Sequence, residues 1–143
     1  MRDDVIKGEA QLSRIYEKAA DRVDEMVAEK DEALRIVARM RAVAEGLGLP
    51  EPRRSQVLDS LEYEARLFST LRNYCAAYFY FRRWKGKSDP ADLGRARAAA
   101  AAWRRDWDAY RLLVPSRRWA ATLYVNDGME AAMRNVQAGI AGN

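Results

Sequence analysis

The sequence predicts an all-α protein, an antiparallel bundle of three long helices with a short fourth helix at the C-terminus. Two observations carry this. Apolar residues recur every three or four positions through three long segments, the period of a helix buried on one side. The prolines, Pro50, Pro52, Pro90 and Pro115, fall at the boundaries of those segments and not inside them. A third observation bounds the size. The chain has 143 residues, 49% apolar and 32% charged. A chain of this length buries roughly 70% of its unfolded surface, enough for one self-supporting core. Residues 1–143 read as a single domain with no internal repeat.

The first segment runs from about Asp4 to Leu47. Its apolar positions include Leu12, Ile15, Ala19, Val23, Met26, Ala33, Val37, Met40, Ala44 and Leu47. Lys30 occupies the one place where this row skips a turn. With no Gly or Pro from Ala10 to Glu45, the segment predicts one continuous rod of about 60 Å. The polar run Glu29-Lys30-Asp31-Glu32 is the other place where it could bend. Gly46, Gly48 and Pro50 end it.

The second segment runs from about Arg54 to Trp84, with Ser55 as its expected N-cap. Val57, Leu61, Ala65, Phe68, Leu71, Cys75, Tyr78 and Phe79 follow a helical row. Tyr74 to Phe81 is apolar or aromatic on all sides. It has the propensity of a strand, but its place inside a longer helical period predicts a helix buried on more than one face. Lys85 to Pro90 reads as a linker. The third segment begins with Asp89 as cap, Pro90 at the first helical position and Asp92 in the first turn. Leu93, Ala96, Ala100, Trp103, Trp107, Tyr110 and Val114 keep a three-four alternation, and Ala98 to Ala102 is strongly helix-forming. Residues 115–126 read as an irregular connection that packs through Trp119, Leu123, Tyr124 and Val125. Asp127-Gly-Met-Glu130 resembles a capping box, opening a last helix built on Met129, Met133, Val136 and Ile140.

The composition excludes much chemistry. With no histidine, the usual general base, the Ser-His-Asp arrangement and the commonest metal ligand are absent. Di-iron bundles built on Glu-x-x-His pairs are excluded for the same reason. The single cysteine, Cys75, forms no internal disulfide and no structural zinc site, and its apolar neighbours mark it as an inert core thiol. No phosphate-binding glycine loop is present; Lys85-Gly-Lys-Ser88 lacks the upstream glycine and strand. No metal, no cofactor and no catalytic residue is expected. No apolar run approaches the ~20 residues of a membrane span, and the opening Met-Arg-Asp-Asp is not a signal sequence. Localisation stays open.

Charge is uneven. Residues 1–50 carry 9 basic and 11 acidic side chains, and residues 51–143 carry 16 and 10. Arg97, Arg104 and Arg111 recur every seven residues on one face of the third helix, with Arg105 beside them. Such a stripe could grip phosphates, or pair internally with Asp108 and the acids of the first segment. The missing nucleic-acid-binding motif argues for internal pairing. Glu64 lies near the apolar row of the second helix and is the candidate buried carboxylate, a catalytic candidate if its pKa is raised and a structural ion pair otherwise. Among the aromatics, Trp103 and Trp107 occupy core positions. Trp84, Trp119 and Tyr124 lie at segment ends and are the candidates for a contact surface.

Ser60-Leu-Glu-Tyr-Glu-Ala-Arg-Leu-Phe68, Trp84, Trp107-Asp-Ala-Tyr110 and Thr122-Leu-Tyr-Val-Asn-Asp-Gly-Met129 resemble the helical accessory region that follows the catalytic barrel in large bacterial glycoside hydrolases and related carbohydrate-active proteins. The resemblance covers about residues 55–135. It implies an accessory domain cut from a longer parent chain whose catalysis lies elsewhere, so no catalytic residue is carried over. Its partners would be that catalytic domain, a second copy of the chain, or a glycan. Three readings therefore stand: a non-catalytic module for packing, oligomerisation or glycan contact; a nucleic-acid- or anion-binding module using Arg97, Arg104, Arg105 and Arg111; and a small ligand-binding or enzymatic bundle with a buried Glu64.

Overall fold

The computed structural model describes the backbone of residues 16–113 and 116–142, and the side chains of 16–113 and 128–142. The chain is all-α, and no strand occurs among the described residues. Four long helices follow one another: α1 (Val23–Gly46), α2 (Arg53–Lys87), α3 (Pro90–Leu113) and α4 (Ser116–Ala141). Residues 16–21 are also helical and lead into α1.

The described part of the first segment is not one uninterrupted rod. The helical run breaks at Arg22, where φ −98° and ψ 15° leave the helical well and the Arg22 amide donates to the Ala19 carbonyl three residues back. The four-residue ladder resumes at Met26, whose amide donates to the Arg22 carbonyl. The polar run 29–32 stays helical. Residues 4–15 of the expected rod lie outside the described residues.

Polar contacts fix the register. Between α1 and α2, Arg41 meets Glu62, Asp31 meets Arg72 and Asp24 meets Arg83, so the two helices are antiparallel. Between α2 and α3, Arg83 meets Asp92, Asn73 meets Asp106 and Tyr63 meets Tyr110, again antiparallel. Trp107 of α3 meets Glu130 of α4. The long α2 is the hub: it packs on α1, α3 and α4, while α1 packs on α2 alone among these four helices. That is why Ala76, Ala77, Phe79, Tyr80 and Phe81 are all buried, and why the aromatic run of α2 is helical and apolar all round, as expected.

The main core gathers Val23, Val27, Ala77, Ala96, Ala100, Trp103, Trp107, Met133 and Val136. Trp103 and Trp107 are 1% exposed, and their rings stack 5.4 Å apart. A second, smaller core of Val37, Ala44 and Leu61 joins the far halves of α1 and α2, flanked by Val57, Leu58, Ala65 and Phe68.

Several boundaries differ from those the sequence predicts. Ser55 is not the N-cap of α2; the helix begins at Arg53 after Pro52, and the Ser55 hydroxyl and amide both bond Glu51. Helix α2 runs through Lys87, past the expected linker start, and ends where Ser88 adopts a left-handed φ of 57°. Asp89 does cap α3: its carboxylate accepts from the Ala91 amide. Helix α4 starts at Ser116, so residues 116–126 are helical and Asp127-Gly-Met-Glu130 is mid-helix, not a cap. Its packing residues Met133 and Val136 are buried, as expected.

Candidate functional site

Several charged groups link one helix to the next. Asp92, in the first turn of α3, is the buried carboxylate of the described part, with its side chain 2% exposed. Arg83 grips it with two parallel bonds, Nε to Oδ2 at 2.7 Å and Nη2 to Oδ1 at 2.8 Å. Arg83 also donates through Nη1 to Asp24 of α1, which accepts from the Tyr80 hydroxyl as well. Bonding to Arg83 holds the Asp92 carboxyl below its ordinary range. The Tyr80 hydroxyl, then Arg83, do the same for Asp24. Burial, reinforced by Asp24, pushes Tyr80 up to about 12. This cluster ties three helices at one end of the bundle. It is an ion-pair lock whose carboxylates are favoured in the ionised form by Arg83 and Tyr80.

A second polar ladder crosses mid-bundle. Asp106 of α3 accepts from the Ser69 hydroxyl and from Asn73 Nδ2. Arg72 donates to Asn73 Oδ1 and reaches Asp31 of α1. Near the far end of α3, Trp107 Nε1 donates to Glu130, which also pairs with Arg111 and Arg134.

The sequence-derived candidates do not converge. Glu64 is exposed, correcting its assignment as the buried carboxylate. At that level α1 covers Leu61 and α3 meets Tyr63, and Glu64 lies on the open side of α2. Trp84 is half-buried, its ring 5.5 Å from that of Phe81. Trp119 and Tyr124 sit on α4, and their side chains lie outside the described residues. The arginine stripe is divided. Arg104 pairs with Asp108 one turn on, and Arg111 with Glu130; Arg97 and Arg105 are exposed. Cys75 is half-buried, and burial pushes its thiol up, away from thiolate chemistry. Among the described residues no group of three or more acidic, cysteine or histidine side chains is placed to hold a metal ion, and no helix is long and apolar enough to cross a membrane.

The feature that single-row reading missed lies on α1. The apolar residues of this helix form two rows. One, Val23, Val27, Val37 and Ala44, is buried. The other, Ile36, Met40, Val43 and Leu47, is 45%, 53%, 62% and 63% exposed. The two rows lie about a third of a turn apart around the helix. Among the described residues α1 packs on α2 and on neither α3 nor α4, so only the first row is covered there. Sequence reading merged Met40 and Leu47 into the buried row, since the three-four spacing fits either. The signal that separates them is Ile36 and Val43, which one row cannot accommodate together with Val37 and Ala44.

No family model matches the chain, and no curated protein and no solved structure shows significant similarity to it.

Proposed function

We propose that this chain is a non-catalytic helical interaction module whose contact surface is the open apolar face of α1. The carrying observation is the exposure of Ile36, Met40, Val43 and Leu47 on a helix covered from one side. Steps of four, three and four residues are those of a coiled-coil seam. The element that fits such a row is another helix laid along α1. Arg39 and Arg35, at the edge of the row, share Glu32, so the rim is already charge-paired and the face itself is apolar.

An accessory role, of the kind played by helical regions of large glycoside hydrolases, is one form of this reading. In it, catalysis lies elsewhere in a longer chain and this module provides packing or oligomerisation. Glycan contact through Trp84, Trp119 and Tyr124 is the less favoured form, because α1 offers a helix-shaped surface. Anion binding by the α3 arginines is less favoured too, because Arg104 and Arg111 are engaged with carboxylates.

The partner to test first is a second copy of the chain. Light scattering across a concentration series should show a dimer that persists at high salt, as apolar contact requires. Met40→Glu should return it to monomer with the melting temperature of the isolated subunit unchanged. A chain that stays monomeric at millimolar concentration, with Met40→Glu altering neither elution nor melting, overturns the reading.

A further inference from the structure

At the opposite end of the molecule from the open face of α1, a cleft of about 730 Å³ lies between residues 16–21, the last turns of α2 and α4. Its floor is apolar: Ala20, Phe81 and Val136 are each less than a tenth exposed. A smaller hollow shares Phe81, Lys85 and Gly139 with it and adds Trp84. The two hollows therefore adjoin across the Phe81 ring. That ring lies tight against α4, because a Cβ at Gly139 would come within 2.3 Å of Phe81 Cζ. Gly139 is what lets the ring sit there.

The rim is charged, and its charges are unevenly satisfied. Lys87 pairs with Asp21, and Arg83 with Asp24 and Asp92. Glu17 also lines the cleft and is itself engaged. Arg82 and Lys85 differ. Arg82 stacks 5.6 Å from the centre of Tyr78 and 5.2 Å from that of Tyr16, and donates to the Tyr78 hydroxyl. Lys85 lies 5.8 Å over Phe81. Neither has a carboxylate partner among the described residues. Three residues apart on a helix, they share a side. A cation resting on a ring face keeps most of its N–H donors available.

We propose that this cleft binds a small amphiphilic anion, a carboxylate with an aliphatic body. The carboxylate would bridge Arg82 and Lys85, and the body would lie along Phe81 and Val136. The volume falls in the range of small-ligand sites, which pair an apolar lining with a few placed polar groups. This inference is independent of the α1 face.

Calorimetric titration of the full chain with decanoate, decanol and decyltrimethylammonium tests it. Decanoate should bind, and the neutral and cationic analogues should bind at least about tenfold more weakly, the scale of a lost charge-assisted hydrogen bond. The double variant Arg82→Gln, Lys85→Gln should lose decanoate binding by a similar factor. Its circular dichroism should match the parent, since neither cation closes an ion pair among the described residues. Gly139→Ala, which displaces the Phe81 ring, should weaken decanoate binding as well. Absence of binding, equal binding of all three amphiphiles, or binding removed by Met40→Glu and not by the double variant overturns the proposal.

Discussion

Arg83 and Asp92 face each other nine residues apart, across the turn between α2 and α3, and make two near-parallel charge-assisted bonds. The carboxylate is almost wholly enclosed, and the guanidinium side chain is 12% exposed. A buried ion pair of this kind is costly to break from one side, because the surviving charge stays desolvated.

Asp92→Ala should therefore destabilise the fold by about 3 kcal/mol, the lower end for such pairs, since Arg83 keeps Asp24 as an alternative partner. Replacing both groups by apolar ones, Arg83→Met with Asp92→Leu, should recover most of that loss. Urea unfolding of the two variants checks this. A double variant less stable than Asp92→Ala would show that the pair contributes more than its mutual neutralisation.

Acid should unlock the same cluster. Asp92 and Asp24 are both held below their ordinary value of 3.8 in the folded state. Groups with depressed folded values contribute stability above the unfolded value, and that contribution is lost as pH falls through the folded value. Thermal melts should hold steady down to about pH 4.5 and then fall with decreasing pH. In Asp92→Asn the melting temperature should start lower, and the acid slope should be shallower. An unchanged slope would mean that Asp92 titrates alike in both states.

Which parts of this were legible in the sequence follows from how many faces each helix buries. Leu93, Ala96, Ala100, Trp103, Trp107 and Tyr110 form one row on α3, and Trp103, Trp107 and Tyr110 are buried as that row requires. Met133 and Val136 on α4 behave likewise. On α1 a single expected row resolves into a covered and an open one, because spacing reports apolar periodicity and not which side a neighbour covers. Glu64 and Asp92 show the limit for charges. Both lie beside apolar rows, yet α2 leaves Glu64 in water, while Arg83 reaches back across a turn to enclose Asp92. No local pattern encodes that reach. Asp127 to Glu130 fit a capping box by letter, but α4 begins eleven residues earlier and Glu130 serves Trp107 instead.

The two stacked core indoles should respond differently to the same substitution. Trp107 Nε1 donates to Glu130 at 2.6 Å. Trp103 Nε1 is buried with no hydrogen-bond partner among the described residues. Each Trp→Phe change leaves a similar void, so the cavity terms nearly cancel in the comparison. What remains is one bond to a charged acceptor against one unpaired buried donor. Trp107→Phe should cost about 2 kcal/mol more than Trp103→Phe. Chemical denaturation of both variants measures the difference. Equal losses would mean that Glu130 turns to Arg111 and Arg134 without penalty once the indole is gone.

Ser88 offers the opposite kind of substitution. It ends α2 in the left-handed region at φ 57°, with its amide donating to the Trp84 carbonyl. Side chains with a Cβ crowd the following carbonyl there, at a cost of about 1 kcal/mol, and glycine does not. Ser88 is exposed, and its side chain closes no hydrogen bond among the described residues. Opposing the gain is the wider freedom of glycine in the unfolded chain, which costs less than the relief where φ is positive. Ser88→Gly should raise stability by about 0.5 kcal/mol, and Ser88→Val should lower it by more than that. Both should leave the Arg83–Asp92 lock and its acid response unchanged, because the turn keeps its backbone path. A glycine variant that melts lower than the parent would show that the serine side chain itself supports the turn.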